Sequence, residues 1–195
     1  MARRKIKYIN PRELISIYCE GDREKQYFLN YRVLLPQKNF VLNVYDPSAN
    51  DPLSLVRFAE RHQQNVKADY VWCVFDHDNI SDELILKAVT IAQQNNINIA
   101  FSNVCFEIWM LIHFSDTTRC FHNKIEIEKE LKKHIQNYQS NSHYFDLLRD
   151  KLPKAIQHAN ELLDSVGQDH YNHKGNPSTS VVKLVSDLEN KTRSI

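Results

Sequence analysis

The stretch YVWCVFDHD at residues 70–78 decides the fold of this chain. It begins as a run of apolar strand formers and ends directly in an Asp-x-Asp pair. A second stretch of the same form, LISIYCEG at residues 14–21, ends in one glutamate and a glycine. In an open parallel sheet, ligands bind outside the carboxyl ends of the strands, so acids just past two neighbouring strands converge there. We therefore expect Glu20, Asp76 and Asp78 to meet at one edge of a sheet.

Apolar runs of strand length alternate with helical patterns over the first half of the chain, which is typical of an α/β fold with a mainly parallel sheet. The sequence predicts a four-stranded sheet flanked by helices, with strands at residues 14–19, 40–45, 70–75 and 97–101. The apolar segment at residues 105–114 is predicted to be a helix buried against the sheet.

The second half of the chain is helical in pattern, apart from one polar segment at residues 167–179 that we interpret as a loop. The chain of 195 residues has the length of one ordinary domain. We divide it into a basic N-terminal arm at residues 1–12, an α/β core at residues 13–122 and a helical C-terminal extension at residues 123–195 that packs on the core.

The composition excludes several classes of protein. With three glycines, the chain contains neither a Walker A loop nor a dinucleotide-binding fingerprint. The formal charge of +1 gives no global basic field, so nucleic-acid binding must rest on local patches. No stretch approaches the length of a membrane span, and the four cysteines lack paired spacing, so we expect a reduced, cytoplasmic protein. The basic residues of the arm are either phosphate contacts or part of a solvated tail: Arg3, Arg4, Lys5 and Lys7.

Carboxylates gathered in this way are the hard oxygen ligands that Mg²⁺ or Mn²⁺ prefers, with waters and a phosphate completing the shell. We assign Asp76 and Asp78 as ligands of such an ion. Glu20 either ligates the same or a second ion, or acts as a general base. This chemistry suits phosphodiester cleavage, which requires neutralisation of developing negative charge and an activated water.

Two residues after the fourth predicted strand are further candidates for the catalytic site. Glu107 is a candidate fourth acid, and the alternative is a buried carboxylate held by backbone groups or at a helix N-terminus. His113 is a candidate catalytic residue, and the alternative is a histidine of the core with satisfied hydrogen bonds. His77, between the two aspartates, is expected to point to the opposite side and into solvent.

The polar parts of the second half contain two other groups of candidate residues. A zinc site made from Cys120, His122, His170 and His173 matches no standard ligand spacing. The segment at residues 169–174 either approaches a nucleic acid through its aromatic and basic groups or is an ordinary surface loop.

Several motifs together resemble the RloB family, which is placed in the TOPRIM fold shared by topoisomerases, primases and a group of nucleases. The motifs are Glu20-Gly21, Tyr27-Phe28, the Asp-x-Asp at residues 76–78, the segment SNVCFEIWMLIHF at residues 102–114, and NPSTS at residues 176–180, which is similar to a C-terminal Asn-Pro-x-Thr signature. The resemblance spans residues 14–188. One departure is visible: the family's Gly-x-x-Thr-Glu-x-x-Tyr-Phe reads GDREKQYF at residues 21–28, which is one residue shorter and lacks the threonine. Whether Glu24 takes the place of that family glutamate stays open.

The resemblance implies a TOPRIM nuclease that cuts RNA, such as tRNA, or DNA as an effector of bacterial defence against phage, including abortive infection. It also implies a separate ATPase as a partner protein, and a homo-oligomer is compatible with it. The main alternative is a non-catalytic regulatory or binding subunit of a defence complex that contains an ATPase. Primase or topoisomerase chemistry is the weakest alternative, because the chain has no room for the additional catalytic domains.

Overall fold

The computed structural model describes residues 12–36, 40–139 and 142–193. The basic residues predicted to form an N-terminal arm lie outside the described residues. The elements, in chain order, are β1 Glu13–Cys19, α1 Asp22–Leu34, β2 Phe40–Tyr45, α2 Pro52–Val66, β3 Tyr70–Asp76, α3 Asp82–Gln94, β4 Ile97–Asn103, α4 Glu107–Leu111, α5 Lys124–His134, α6 Phe145–Leu148, α7 Leu152–Val166, β5 Ser178–Thr179 and α8 Val181–Arg193.

In the described residues these strands form one sheet with the order β2-β1-β3-β4-β5. The first four strands are parallel, and β1 lies between β2 and β3. The register pairs Cys19 with Val74, so β1 and β3 end side by side. The predicted α/β class and the mainly parallel sheet are therefore confirmed.

The two central strands are buried on both faces of the sheet, which explains their continuous apolar sequences. Residues 15–19 and 71–75 are all buried. One face packs against α2 and α3. The other face packs against α1, α4 and the C-terminal helices α5 to α8. The apolar segment predicted to be a buried helix contains α4, and Glu107 to Leu111 are all buried.

Side-chain caps fix the start of two helices that border the sheet edge. The carboxylate of Asp51 accepts a hydrogen bond from the backbone N–H of Ser54 at 2.9 Å, with Pro52 as the first residue of α2. The amide oxygen of Asn123 accepts one from the N–H of Glu126 at 3.2 Å, so α5 begins at Lys124. Both are preferred N-cap residues.

The last helix closes against the first strand. Lys191 Nζ lies 2.7 Å from Glu13 Oε2 and 3.3 Å from the centroid of the Tyr70 ring. Tyr31 donates a hydrogen bond to Glu189 at 2.6 Å. The C-terminal residues thus complete the core that the N-terminal strands begin.

The sheet has one strand more than the sequence predicted, because β5 comes from the segment interpreted as a loop. Ser178 and Thr179 pair antiparallel with Asn103 and Ser102. Ser180 then donates from its backbone N–H to the carbonyl of Phe101 at 2.8 Å. A two-residue strand is too short to show alternation, and its pairing is made by tertiary contact rather than by propensity. The preceding residues form short 3₁₀ turns at Gly167–Tyr171 and His173–Gly175.

None of the helices in the described ranges has the length and apolar character needed to cross a membrane.

Candidate functional site

Glu20 and Asp76 lie beside each other at the carboxyl edge of the sheet, as the sequence predicted. Glu20 directly follows β1, and its backbone N–H continues the ladder by donating to the carbonyl of Val74 at 3.0 Å. The backbone N–H of Asp76 in turn donates to Glu20 Oε2 at 3.3 Å. The neighbouring strand ends therefore hold these two acids in contact.

The Asp76 side chain is half-buried, and only one of its two carboxylate oxygens is hydrogen-bonded. Its Oδ2 accepts a hydrogen bond from the backbone N–H of Phe106 at 2.9 Å. Its Oδ1 is shielded from solvent and has no hydrogen-bond partner. Burial raises the pKa of Asp76 well above its usual range, and the charges of Glu24 and Glu107 raise it further. A buried carboxylate oxygen without a donor is costly, which indicates a place for a cation.

Glu24 belongs to the same acidic cluster. It lies in the first turn of α1, and only 6% of its surface is exposed. Burial raises its pKa to about 7, with the charges of Glu107 and Glu20 adding to the effect. Gly21 allows Glu24 to fold back towards the strand end, because a Cβ at residue 21 would lie 2.8 Å from Glu24 Oε2. Glu24 thus lies with Glu20 and Asp76 at the carboxyl edge of the sheet.

Glu107 is the fourth acid of the cluster and is already paired with two cations. It begins α4 and is 1% exposed. Arg23 forms an ion pair with Glu107 Oε1, and Lys124 Nζ lies 2.8 Å from the same oxygen. Arg23 also donates to the hydroxyl of Tyr138 at 2.7 Å. Burial acts to raise the pKa of Glu107, but Arg23 and Lys124 outweigh it and hold the pKa below its usual range.

Of the remaining two predicted acids, Glu20 is half-buried, as Asp76 is, and Asp78 is exposed. Burial raises the pKa of Glu20 to about 7. Asp78 is exposed and adopts a positive φ of 37°. Its backbone N–H donates to the carbonyl of Val104 at 2.7 Å, and its Oδ1 accepts from Asn79 at 3.3 Å. Asp78 therefore marks the solvent side of the site.

An open cleft of about 320 Å³ runs along this edge. The residues that line it are Gly21, Asp22, Arg23, Glu24, Asp76, Glu107, Lys124, Ser142 and His143. The cleft thus joins the ends of β1 and β3 to the start of α5, which belongs to the predicted C-terminal extension.

His113 lies in the core and does not line this cleft. It is 1% exposed, and its Nδ1 is 2.7 Å from the carbonyl oxygen of Trp109. Burial lowers its pKa to about 4, so the ring is neutral at physiological pH. His113 therefore lies in the core, but its Nε2 is buried without a hydrogen-bond partner, so only one of its two ring nitrogens is satisfied.

His77 is not the solvated side chain that the alternation predicted. Its Nε2 lies 2.8 Å from Asp82 Oδ1, and Asp82 also contacts Nδ1 of His173 at 2.6 Å. The prediction was wrong because the chain does not stay extended after Asp76. It turns at Asp78, which has a positive φ.

The four residues of the candidate zinc site have separate partners. Cys120 contacts the carbonyl of Asn176, His122 contacts Glu126, His170 contacts Ser178 and His173 contacts Asp82. They do not form a metal site in the part of the chain that the structure describes.

The acidic cluster suits a divalent cation in its donor chemistry. Over the described ranges, no three side chains of His, Cys, Asp or Glu already stand together in the geometry of a metal site. Mg²⁺ is commonly held by one or two carboxylates, with waters and a substrate phosphate completing the shell. The unpartnered Oδ1 of Asp76, beside Glu24 and Glu20, meets that smaller requirement.

Arg23, Lys124 and Tyr138 are the members of this site that sequence reasoning missed. Arg23 lies 84 positions from Glu107 and 115 positions from Tyr138, whereas Lys124 is closer to Glu107 in the chain but on a different helix. A signal was present for Arg23 alone, because it lies next to Glu24 in the segment that departs from the family motif.

Comparison with known proteins gives one match. A family model described as RloB-like protein matches residues 15–188, which include all the acids of the cluster and both cations. No curated protein and no solved structure matches the chain. The match covers most of the chain, and the protein therefore belongs to the RloB-like family.

Proposed function

We propose that this protein is a divalent-metal-dependent TOPRIM-type nuclease that cleaves phosphodiester bonds of RNA, such as tRNA, or of DNA. The observation that carries the proposal is the buried Asp76 Oδ1, which has no hydrogen-bond partner and lies among further carboxylates. Such a group is unfavourable unless a cation binds it. An edge of this kind is expected of an enzyme that binds Mg²⁺ or Mn²⁺ only as it engages a phosphate.

In this proposal Asp76 and Glu24 hold the ion, with Glu20 at its side. When bound, the ion would neutralise the charge that develops on the phosphate and lower the pKa of a bound water. Glu20 has a pKa of about 7, which suits a group that accepts a proton near neutral pH. Asp78, at the solvent side, would orient waters or the incoming strand.

We further propose that the nuclease acts in the cytoplasm as the effector of a defence system against phage, together with a separate ATPase. Support for this part comes from membership of the family and from the associations stated for that family.

The test is cleavage of total tRNA, single-stranded RNA and duplex DNA with Mg²⁺ or Mn²⁺, with and without a candidate ATPase partner. Asp76→Asn and Glu24→Gln should each abolish cleavage, because each removes a ligand charge but keeps the side-chain shape. Asp187→Asn is the matched control, since Asp187 is on α8, outside the cleft.

The rival function is a binding subunit without catalytic activity. It is favoured by one observation, namely that Arg23 and Lys124 already neutralise Glu107 in the absence of any ligand. Absence of cleavage for every substrate, with the ATPase present, would establish the rival and refute the nuclease.

A further inference from the structure

Two cations of the cleft converge on one oxygen of a buried carboxylate. Arg23 comes from the first turn of α1 and Lys124 is the first residue of α5, and both contact Oε1 of Glu107. The Lys124 side chain is 44% exposed, whereas Glu107 is 1% exposed. Lys124 therefore reaches from solvent into the cleft.

A purely structural role explains this arrangement poorly. Arg23 alone supplies one positive charge for the one negative charge of Glu107, and it has a second anchor in Tyr138. A lysine at the first position of a helix is unfavourable, because the helix dipole is positive at that end. Buried ion pairs contribute little net stability after desolvation. The second cation is thus one more than Glu107 requires.

The two cations also offset the electrostatic repulsion between the acids of the cleft and a phosphate. A phosphodiester that approaches Asp76 and Glu24 is repelled by both carboxylates. Among the described residues that line the cleft, Arg23 and Lys124 are the ones with a permanent positive charge.

We propose that Arg23 and Lys124 form the phosphate-binding subsite of the cleft, and that a substrate phosphate takes the place of Glu107 as their partner. This inference deepens the proposed nuclease and rests on it for the identity of the substrate. In the free protein Glu107 keeps the two cations in position. When a phosphate binds, Arg23 and Lys124 both turn to the phosphate, and Glu107 is then free to contribute its charge to the acidic cluster.

Binding is measured by fluorescence anisotropy in EDTA, where no metal-dependent cleavage takes place. The probes are a labelled short single-stranded RNA and a labelled short DNA duplex, each titrated at several salt concentrations. Lys124→Met should weaken binding about tenfold and lower the slope of log K against log salt by about one. Lys129→Met is the matched control, since Lys129 is an exposed lysine on the same helix that does not line the cleft.

Glu107→Gln provides the decisive comparison. It should tighten binding about fivefold, because it releases both cations, and this gain should shrink in the Lys124→Met background. Glu24→Gln serves as the comparison, because it removes the same charge from the same cleft. In the described structure no hydrogen bond or ion pair joins Glu24 to Arg23 or Lys124. The gain in binding from Glu24→Gln should therefore survive in the Lys124→Met background. Thermal melts of each variant separate loss of binding from loss of folding.

Each outcome decides one question. The subsite is refuted if Lys124→Met binds both probes as wild type does, or if wild type binds neither probe. It is also refuted if Lys129→Met loses as much binding as Lys124→Met, or if the gain in binding from Glu107→Gln does not depend on Lys124. Binding that depends on Lys124 in a protein that never cleaves would keep the subsite and refute the nuclease. Cleavage that depends on Asp76, with normal binding by Lys124→Met, would keep the nuclease and refute the subsite.

Discussion

The carboxylate of Asp76 accepts a hydrogen bond from the backbone N–H of Phe106 at 2.9 Å, which ties the end of β3 to the segment that enters α4. Its other oxygen is buried without a partner. An asparagine keeps an acceptor for Phe106 and removes the unfavourable charge. We therefore expect Asp76→Asn to lose cleavage and to stabilise the metal-free protein by about 1 kcal/mol, or about 2–4 °C in Tm. Scanning fluorimetry in EDTA and a cleavage assay check both, and a lower Tm with retained cleavage would contradict the role given to Asp76.

The raised pKa values of Glu20 and Glu24 predict a pH dependence of stability. Both values are about 7 in the folded state, against an ordinary 4.5. Between these limits the folded state binds more protons than the unfolded state, so these acids make stability fall as pH rises. We expect the gain in Tm of Glu20→Gln and Glu24→Gln over wild type to grow from about pH 5 to about pH 8, by the equivalent of about 2–3 kcal/mol for each acid. Thermal melts in EDTA measure it, and Glu161→Gln, an exposed acid of α7, serves as the control.

Two buried histidines oppose this trend in wild type. Burial lowers the pKa of His113 and His170 from 6.5 to about 4, so they stabilise the fold as pH rises through that range. The wild-type protein should therefore change little in Tm between about pH 4.5 and 6.5 and lose stability above that range. A Tm that rises steadily to about pH 8 without metal would show that the acids are not buried as described.

Gly21→Ala tests whether Glu24 needs the space beside it. Gly21 has an extended backbone with φ −131°, which alanine also adopts, so only the added Cβ matters. That Cβ would lie 2.8 Å from Glu24 Oε2 and displace the carboxylate. We expect a loss of cleavage of about tenfold or more, from the displaced ligand, with a small change in Tm.

Gly167→Ala is the opposite control for that experiment. Gly167 has φ +52° and no atom within 4 Å of an added Cβ, so alanine there is strained but meets no neighbour. It should lower stability by about 1 kcal/mol and leave cleavage unchanged. If Gly21→Ala and Gly167→Ala cleave equally well, the packing of Glu24 against Gly21 is not needed for cleavage.

Asp82 joins the turn after β3 to the segment before β5. It accepts hydrogen bonds from the backbone N–H of His173 at 3.0 Å and contacts the rings of His77 and His173. Asp82→Ala should therefore raise amide hydrogen exchange at residues 171–175 about tenfold, because this anchor is lost. Glu83→Ala is the control, since Glu83 is exposed and bonds only Lys87 among the described contacts. Equal protection in both variants would show that other contacts hold the segment.

The sequence was sufficient to predict the central part of the fold and to name three of the four clustered acids: Glu20, Asp76 and Glu107. Long apolar runs with β-branched residues reveal β1 and β3, and parallel topology brings Glu20 and Asp76 to one edge. The strand β5 escaped prediction because Ser178 and Thr179 have no periodic pattern and depend on Ser102 and Asn103 for pairing.

The pairing of charges was beyond sequence reasoning for a different reason. Glu107 was identified as a candidate acid, but its partners Arg23 and Lys124 lie on separate helices whose packing no local pattern encodes. The burial of Glu24 depends on the absence of a side chain at Gly21. Such contacts follow from tertiary packing and become visible only in the folded chain.

The contact of Lys191 with Glu13 joins residues that are 178 positions apart. A ribosome synthesises β1 well before α8, so the helix that covers the start of the first strand is missing while the earlier elements leave the exit tunnel. Contacts of this sequence separation form late, because loop closure must precede them. The core consequently stays open on that side until α8 has been synthesised, and a product that terminates before α8 lacks the helix that completes it.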